Sequence, residues 1–283
     1  MLNFAVTNSI INMRNTLSIF FILFFSITTF GQSCQLFTTN SKLSSSLINK
    51  IYQDRNGMIW IATEDGLNKY DGVKFTVYKH KKDDEHSLCH NYVRTLFEDS
   101  KGNLIIGTYT GIQMYDPATD RFTPQARWEN GDLFDSNIIA ILERQNGEIW
   151  VSGNILCKLI IKKEKLVVKM LNLPIATTST DYMIEDKKRN IWITKGENGI
   201  YKISDKKKVT HYLKDEKGIT IVDFCEDLNG NIYVGTMGKG LFVYDQLSDS
   251  FKPIPYKGKQ NLPIKSLYPD NQNELYIGKM GKE

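Results

Sequence analysis

The chain has 283 residues, 41% of them hydrophobic and 24% charged, with a net charge of +4. This is ordinary globular composition with enough apolar surface for a core, and the four cysteines, without paired spacing, argue against a disulfide framework or a cysteine metal site. The cations fall in short runs between apolar segments, as in Lys162-Lys163, Lys187-Lys188-Arg189 and Lys206-Lys207-Lys208. Such runs read as solvated turns, so no nucleic-acid partner is expected.

The N-terminus carries one basic residue, Arg14, then an apolar stretch from Leu17 to Phe30, then Gly31, Gln32 and Ser33. That is the layout of a secretory signal peptide over about 13–33, too short for a comfortable membrane span. Residues 1–33 are therefore set apart from the fold, Met13 is a candidate start, and the mature chain is expected to be exported to the periplasm. An uncleaved N-terminal anchor is the rival. Lipidation at Cys34 is a weaker one, because Gly31-Gln32-Ser33 is a poor lipoprotein box.

After the leader one unit recurs. Aligned on its central aromatic, it reads "GMIWIAT" at Trp60, "GNLIIGT" at Ile105, "GEIWVSG" at Trp150, "NIWITKG" at Trp192, "GNIYVGT" at Tyr233 and "NELYIGK" at Tyr276, at spacings of 45, 45, 42, 41 and 43. Each unit begins with an apolar run and an acidic turn such as Asp54-Arg55-Asn56-Gly57. Asp caps the local backbone there, and Gly supplies the positive φ of a tight hairpin. The aromatic strand follows, then a turn ending in Gly66, Gly111, Gly199 or Gly240, then a third strand and a short outer one. Four short strands at this period predict an all-β chain, a β-propeller of four-stranded antiparallel blades. The blades are placed at about 47–78, 91–123, 137–169, 180–212, 219–253 and 264–283. Trp60, Trp150, Trp192, Tyr233 and Tyr276 then read as blade-to-blade core. Residues 34–40 resemble an outer strand, with Phe37 in the role of Phe75 and Phe122. The chain stops partway into the sixth unit, which predicts five blades and part of a sixth from a ring of seven, the N-terminal part of a longer protein.

Two units carry a further signature, "IYQDRNGMIWIATEDGLNKYDG" and "LFEDSKGNLIIGTYTGIQMYDPATDRF". They resemble the two-component regulator propeller repeat, the match falling on Asp54, Gly57, Ile59, Trp60, Ile61, Thr63, Gly66, Leu67, Tyr70 and Asp71. The third unit departs at Gly153-Asn154-Ile155, and the fourth has Arg189 in place of the turn glycine. The resemblance covers about residues 36–283. It implies the periplasmic sensing region of a membrane-bound histidine kinase, a ligand-sensing or dimerising ectodomain whose ligands are often polysaccharide breakdown products. On that basis the partners would be an oligosaccharide and a second copy of the chain. A membrane would be met only through an uncleaved N-terminal anchor or a C-terminal segment outside this sequence. Phosphotransfer does not carry over, since no kinase box is present.

No nucleophile elbow, zinc-binding helix motif or phosphate loop occurs, and no cofactor is called for. His86 and His90, with Cys89 between them, sit in a long connection rather than at helical spacing, so a metal site is not expected. In a four-stranded blade the second-to-third hairpins and the blade connections share one face, and loops there carry function. That face collects Glu64 and Asp65, Tyr109, Glu197 and Asn198, and Lys239. The connection over 124–136 adds Trp128, outside the repeat frame, between Arg127 and Glu129. A tryptophan with no blade role is a candidate for stacking on a sugar ring, its neighbours for hydrogen-bonding hydroxyls. The plain alternative is that Trp128 folds back over the blade edge. A binding module is thus favoured. The rivals are an exported propeller lyase or glycan-active enzyme, which would need a column of acids or histidines from several blades, and a non-functional fragment.

Overall fold

Strand formation follows from Ile59–Thr63, where four of five residues are β-branched or aromatic and glycine turns close both ends. The computed structural model describes residues 37–163, 165–173, 175, 182–194, 199–206, 208–214, 218–255 and 263–279. The chain divides into two units, Met1–Phe37 and Thr38–Glu283, and every strand among the described residues lies in the second. The leader over 13–33 and Cys34 lie outside the described residues.

The first sheet holds β1 (Ile48–Gln53), β2 (Ile59–Thr63), β3 (Gly66–Tyr70) and β4 (Phe75–Tyr78). The second holds β5 (Val93–Glu98), β6 (Leu104–Thr108), β7 (Ile112–Asp116) and β8 (Arg121–Phe122). A short strand, β9 (Arg127–Trp128), precedes the third sheet of β10 (Ile138–Glu143), β11 (Ile149–Gly153), β12 (Cys157–Lys162) and β13 (Lys165–Met170). The fourth is β14 (Tyr182–Glu185), β15 (Ile191–Thr194), β16 (Ile200–Ile203) and β17 (Val209–Tyr212). The fifth is β18 (Ile221–Glu226), β19 (Ile232–Thr236), β20 (Gly240–Asp245) and β21 (Ser250–Ile254), and β22 (Ile264–Pro269) pairs with β23 (Leu275–Lys279) in the sixth. Within each of these sheets the strands pair antiparallel in sequence order. The fold is all-β, and among the described residues there is no α-helix.

The turn chemistry is local. Asp54 accepts from the N–H of Asn56 and Met58, and Asp99, Asp186, Asp227 and Asp270 repeat this at their own turns. Gly57, Gly102, Gly147 and Gly230 supply the positive φ that closes them. Arg189 takes this position in the fourth sheet at φ 64° and Asn273 in the sixth at 65°. Arg144 replaces the aspartate in the third sheet, and its guanidinium lies 5.0 Å over Trp150 instead.

Successive sheets stack through apolar faces, Trp60, Ala62 and Leu67 of the first meeting Val93, Leu96 and Ile106 of the second. Trp60, Trp150 and Trp192 are all buried, as blade-to-blade core should be. Tyr276 departs from this expectation. It is 56% exposed, as Tyr268 beside it is 66%, because that face of the sixth sheet has no neighbour among the described residues. The close approach needs small residues two positions past the central one, Gly107 after Ile105 and Gly235 after Tyr233. A Cβ on Gly107 would lie 2.6 Å from Ile138 Cγ2 of the next sheet, and one on Gly235 at 2.6 Å from Ile264 Cγ2.

Two interfaces also carry a polar clasp. Lys69 Nζ donates to the Tyr115 hydroxyl at 2.8 Å and to Asp120 at 2.9 Å, and Asp120 also accepts from Tyr78 at 2.6 Å. Between the fourth and fifth sheets Lys202, Tyr244, Tyr212 and Asp249 repeat it, at 2.8 Å for Lys202 to Tyr244 and 2.6 Å for Tyr212 to Asp249.

Residues ahead of the first sheet differ from expectation. Thr39–Ser41 is a turn of 3-10 helix rather than part of an outer strand. Two of its backbone bonds are taken locally, Lys42 N–H to Thr39 O at 3.1 Å and Leu43 N–H to Thr38 O at 3.3 Å, and residues 34–36 of the expected strand lie outside the described residues. Ser44 then ties the segment to Asn68 and Thr63 of the first sheet, each at 2.9 Å.

Candidate functional site

The innermost strands of five sheets, β1, β5, β10, β14 and β18, together wall a channel of about 680 Å³. This follows from the repeat. Each inner strand packs against the next, so equivalent residues form rings around the opening. Most of the wall is apolar, with Leu96, Ile141, Ile184 and Phe224. The polar groups gather where the ladder is interrupted. β1 has a bulge between Ile48 and Lys50, β5 between Val93 and Thr95, β10 between Ile138 and Ala140, β18 between Ile221 and Asp223. A bulge leaves one residue unpaired and re-aims its side chain. Arg94 is such a residue and lines the channel, as do Lys50 and Asp223 beside their own bulges.

Asp223 accepts from the N–H of Phe224 at 2.9 Å and of Leu267 at 2.8 Å, which joins the fifth sheet to the sixth. Burial pushes its carboxyl above the ordinary value, while those two N–H groups and the charge on Lys50 pull the other way.

A stack of rings leads outward from Arg94. Its guanidinium lies 5.3 Å over Tyr92. Tyr92 is parallel to Tyr109 at 6.0 Å and 11° between planes, and His90 lies 5.6 Å from Tyr109. The backbone holds the stack, since Tyr109 N–H donates to Tyr92 O at 3.0 Å and Tyr92 N–H to His90 Nδ1 at 2.9 Å. Tyr109 is 50% exposed. An exposed aromatic continuous with a channel holding cations can seat a ring on its face and hydrogen-bond that ring's substituents.

The other expected site residues are dispersed. Asp65 forms an ion pair with Lys79 at 2.6 Å and accepts from Asn91, and Glu64 N–H donates to Leu47 O. Lys239 N–H caps onto Thr236 Oγ1 at 2.9 Å. Glu197 and Asn198 lie outside the described residues. Arg127 lines a separate cleft of about 520 Å³ between the connections 79–92 and 123–137. Trp128 lies in β9, which pairs parallel with β13 as a fifth strand, Val168 opposite Trp128. Its ring meets Phe134 edge-on at 5.0 Å, and Glu129 pairs with Lys169 at 3.4 Å. Trp128 therefore covers the blade edge, with a shallow depression beside it over Met170. His86 Nδ1 is held by Phe122 O at 2.9 Å.

Tyr109 was legible as a candidate, but Tyr92, Arg94 and Lys50 were not. The signal that could have found them is the polar pair, Asn49-Lys50 and Arg94-Thr95, at the same place in two otherwise apolar inner strands.

Known proteins share this repeat and this architecture. Residues 42–65 and 87–110 match the model for the two component regulator propeller. A stretch of 83 residues is 35% identical to Histidine kinase P4 of Formosa agariphila, covering 27% of this chain and 6% of that protein. Among solved structures, the extracellular domain of the hybrid two component system BT3049 from B. thetaiotaomicron is similar over 87% of this chain at 24% identity and a TM-score of 0.73. The chain spans 34% of that structure's length. Virginiamycin B lyase from Staphylococcus aureus, solved with quinupristin, is similar over 87% of this chain and 81% of its own, at 16% identity and a TM-score of 0.64. Both likenesses speak to the fold. The chain is thus an all-β propeller in which residues 42–65 and 87–110 match the two component regulator propeller model.

Proposed function

We propose that this chain is a ligand-sensing module from the exported domain of a two-component sensor, and that it takes an oligosaccharide at the channel mouth beside Tyr109. The observation that carries the reading is the exposed Tyr92–Tyr109 stack running into Arg94 on the channel wall. Such a platform serves binding without any reacting group, which fits a sensor better than a catalyst. The propeller repeats and the identity to a histidine kinase support the sensor role. The signal-peptide layout over 13–33 supports export. A second copy of the chain as signalling partner belongs to the same reading.

Isothermal titration of the full chain against a panel of oligosaccharides tests it. At least one member should bind, and Tyr109→Ala should weaken that binding by about tenfold, equivalent to about 1.4 kcal/mol of lost stacking. A panel without a binder, or a Tyr109→Ala protein that binds as wild type, removes the proposal.

A further inference from the structure

The structure assigns the ligand a negative charge: we propose that an acidic oligosaccharide places a carboxylate or sulfate between Lys50 and Arg94 at the channel mouth. This rests on the sensor reading above and narrows its ligand class.

Lys50 and Arg94 lie on β1 and β5, adjacent inner strands, and Asn49 Nδ2 donates across the same gap to Val93 O at 2.8 Å. That bond fixes the register at which the two cations enter the channel. Neither is in an ion pair among the described residues, whereas Arg55, Lys69, Lys79 and Arg121 each have a carboxylate partner. Tyr92 takes only the face of the Arg94 guanidinium, and its edge donors can meet two oxygens of one anion.

The carboxylate that lines the channel is already committed. Asp223 accepts two backbone N–H bonds, and its burial favours the neutral form. The mouth therefore holds two cations against one engaged acid, beside apolar wall residues such as Ile141 and Ile184 that strengthen the field felt by a ligand. A neutral sugar would leave the edge donors of Arg94 unmatched and Lys50 opposed only by the engaged Asp223, so the arrangement selects against it.

The probes are oligogalacturonate, its methyl ester, a sulfated chondroitin oligosaccharide, and neutral cello- and malto-oligosaccharides, titrated calorimetrically into the full chain at two salt concentrations. The expected result is binding of an acidic probe that weakens in higher salt. Arg94→Gln and Lys50→Gln should each weaken it by about tenfold, and methyl esterification should abolish binding of the uronate. Both variants sit on the channel surface, and an unchanged unfolding midpoint confirms that they fold. Tyr109-dependent binding of neutral probes alone overturns the charge assignment and keeps the sensor reading. Acidic binding unchanged in both variants also overturns it. An absence of any binding removes both.

Discussion

The Trp192 indole donates its Nε1–H to Asp186 at 2.8 Å, and Trp60 makes the same bond to Asp54 at 2.8 Å. Both rings are otherwise enclosed, Trp60 at 0% and Trp192 at 1% exposure. The acceptor is also the turn cap, since the other oxygen of Asp186 receives the N–H of Lys188 and Asn190 at 2.9 and 2.8 Å. One carboxylate thus closes the hairpin and satisfies the donor of the largest core ring.

Asp186→Ala leaves a buried indole N–H and two turn N–H groups without their acceptor. The expected loss is about 2–4 kcal/mol, read as a lower urea midpoint at unchanged slope. Asp186→Asn keeps one acceptor oxygen and should lose less. A change below about 0.5 kcal/mol for the alanine variant would show that the carboxylate does not hold this turn.

Small side chains at the sheet interfaces set a second expectation. Gly107→Ala puts a methyl against Ile138 and against Thr95 Cγ2 at 2.7 Å, and should destabilise by about 1–3 kcal/mol. Arg189→Gly acts in the opposite sense. The arginine holds φ at 64°, so glycine relieves backbone strain and should raise stability by up to about 1 kcal/mol. Thermal melts of the two variants should move in opposite directions.

The clasp between the fourth and fifth sheets gives stability two pH limits. Hydrogen bonds from Tyr212 and Tyr244 hold the Asp249 carboxyl below its ordinary value of 3.8. A depressed folded-state pKa contributes stability above the unfolded value, so this contribution falls as pH drops below about 4. Tyr212 is pushed up to about 12 by burial and by its bond to Asp249, from an ordinary 10.0. Its contribution is complete below pH 10 and is lost as pH rises from there towards about 12. Denaturant titrations across pH should show both slopes, with Asp249→Asn flattening the acid one and Tyr212→Phe the alkaline one. Unaltered slopes would place the titrating groups elsewhere.

Trp128 separates edge packing from ligand contact. Its alanine variant loses the edge-on contact with Phe134 and the cover over β13, at a cost of about 2 kcal/mol. On the proposed function, the same variant should bind as wild type does any oligosaccharide whose binding Tyr109→Ala weakens. Weaker binding with undiminished stability would return Trp128 to the site.

Much of the fold was legible because its determinants are local and recur. The aspartate turns, the closing glycines and the central aromatics announce themselves within a few residues of one another, and even Arg189 was visible as the residue standing where a glycine belonged. The parallel pairing of β9 with β13 was not. Its partners are some forty residues apart, in a polar stretch with no alternation to mark a strand. The channel site was hidden for a related reason. Lys50 and Arg94 each belong to a polar pair that interrupts an apolar run, Asn49-Lys50 and Arg94-Thr95, and the bulges at these pairs, a property of the paired ladder, cannot be read from the pairs alone.

The central position of the repeat is tryptophan in the first, third and fourth sheets and isoleucine or tyrosine in the others. Each of those three sheets consequently contains its own intrinsic fluorophore, shielded from quenchers until that sheet opens. With Trp128 and two of the three replaced by phenylalanine, the emission of the remaining indole reports on one sheet alone. Three such proteins would time the opening of the first, third and fourth sheets separately, without any added label.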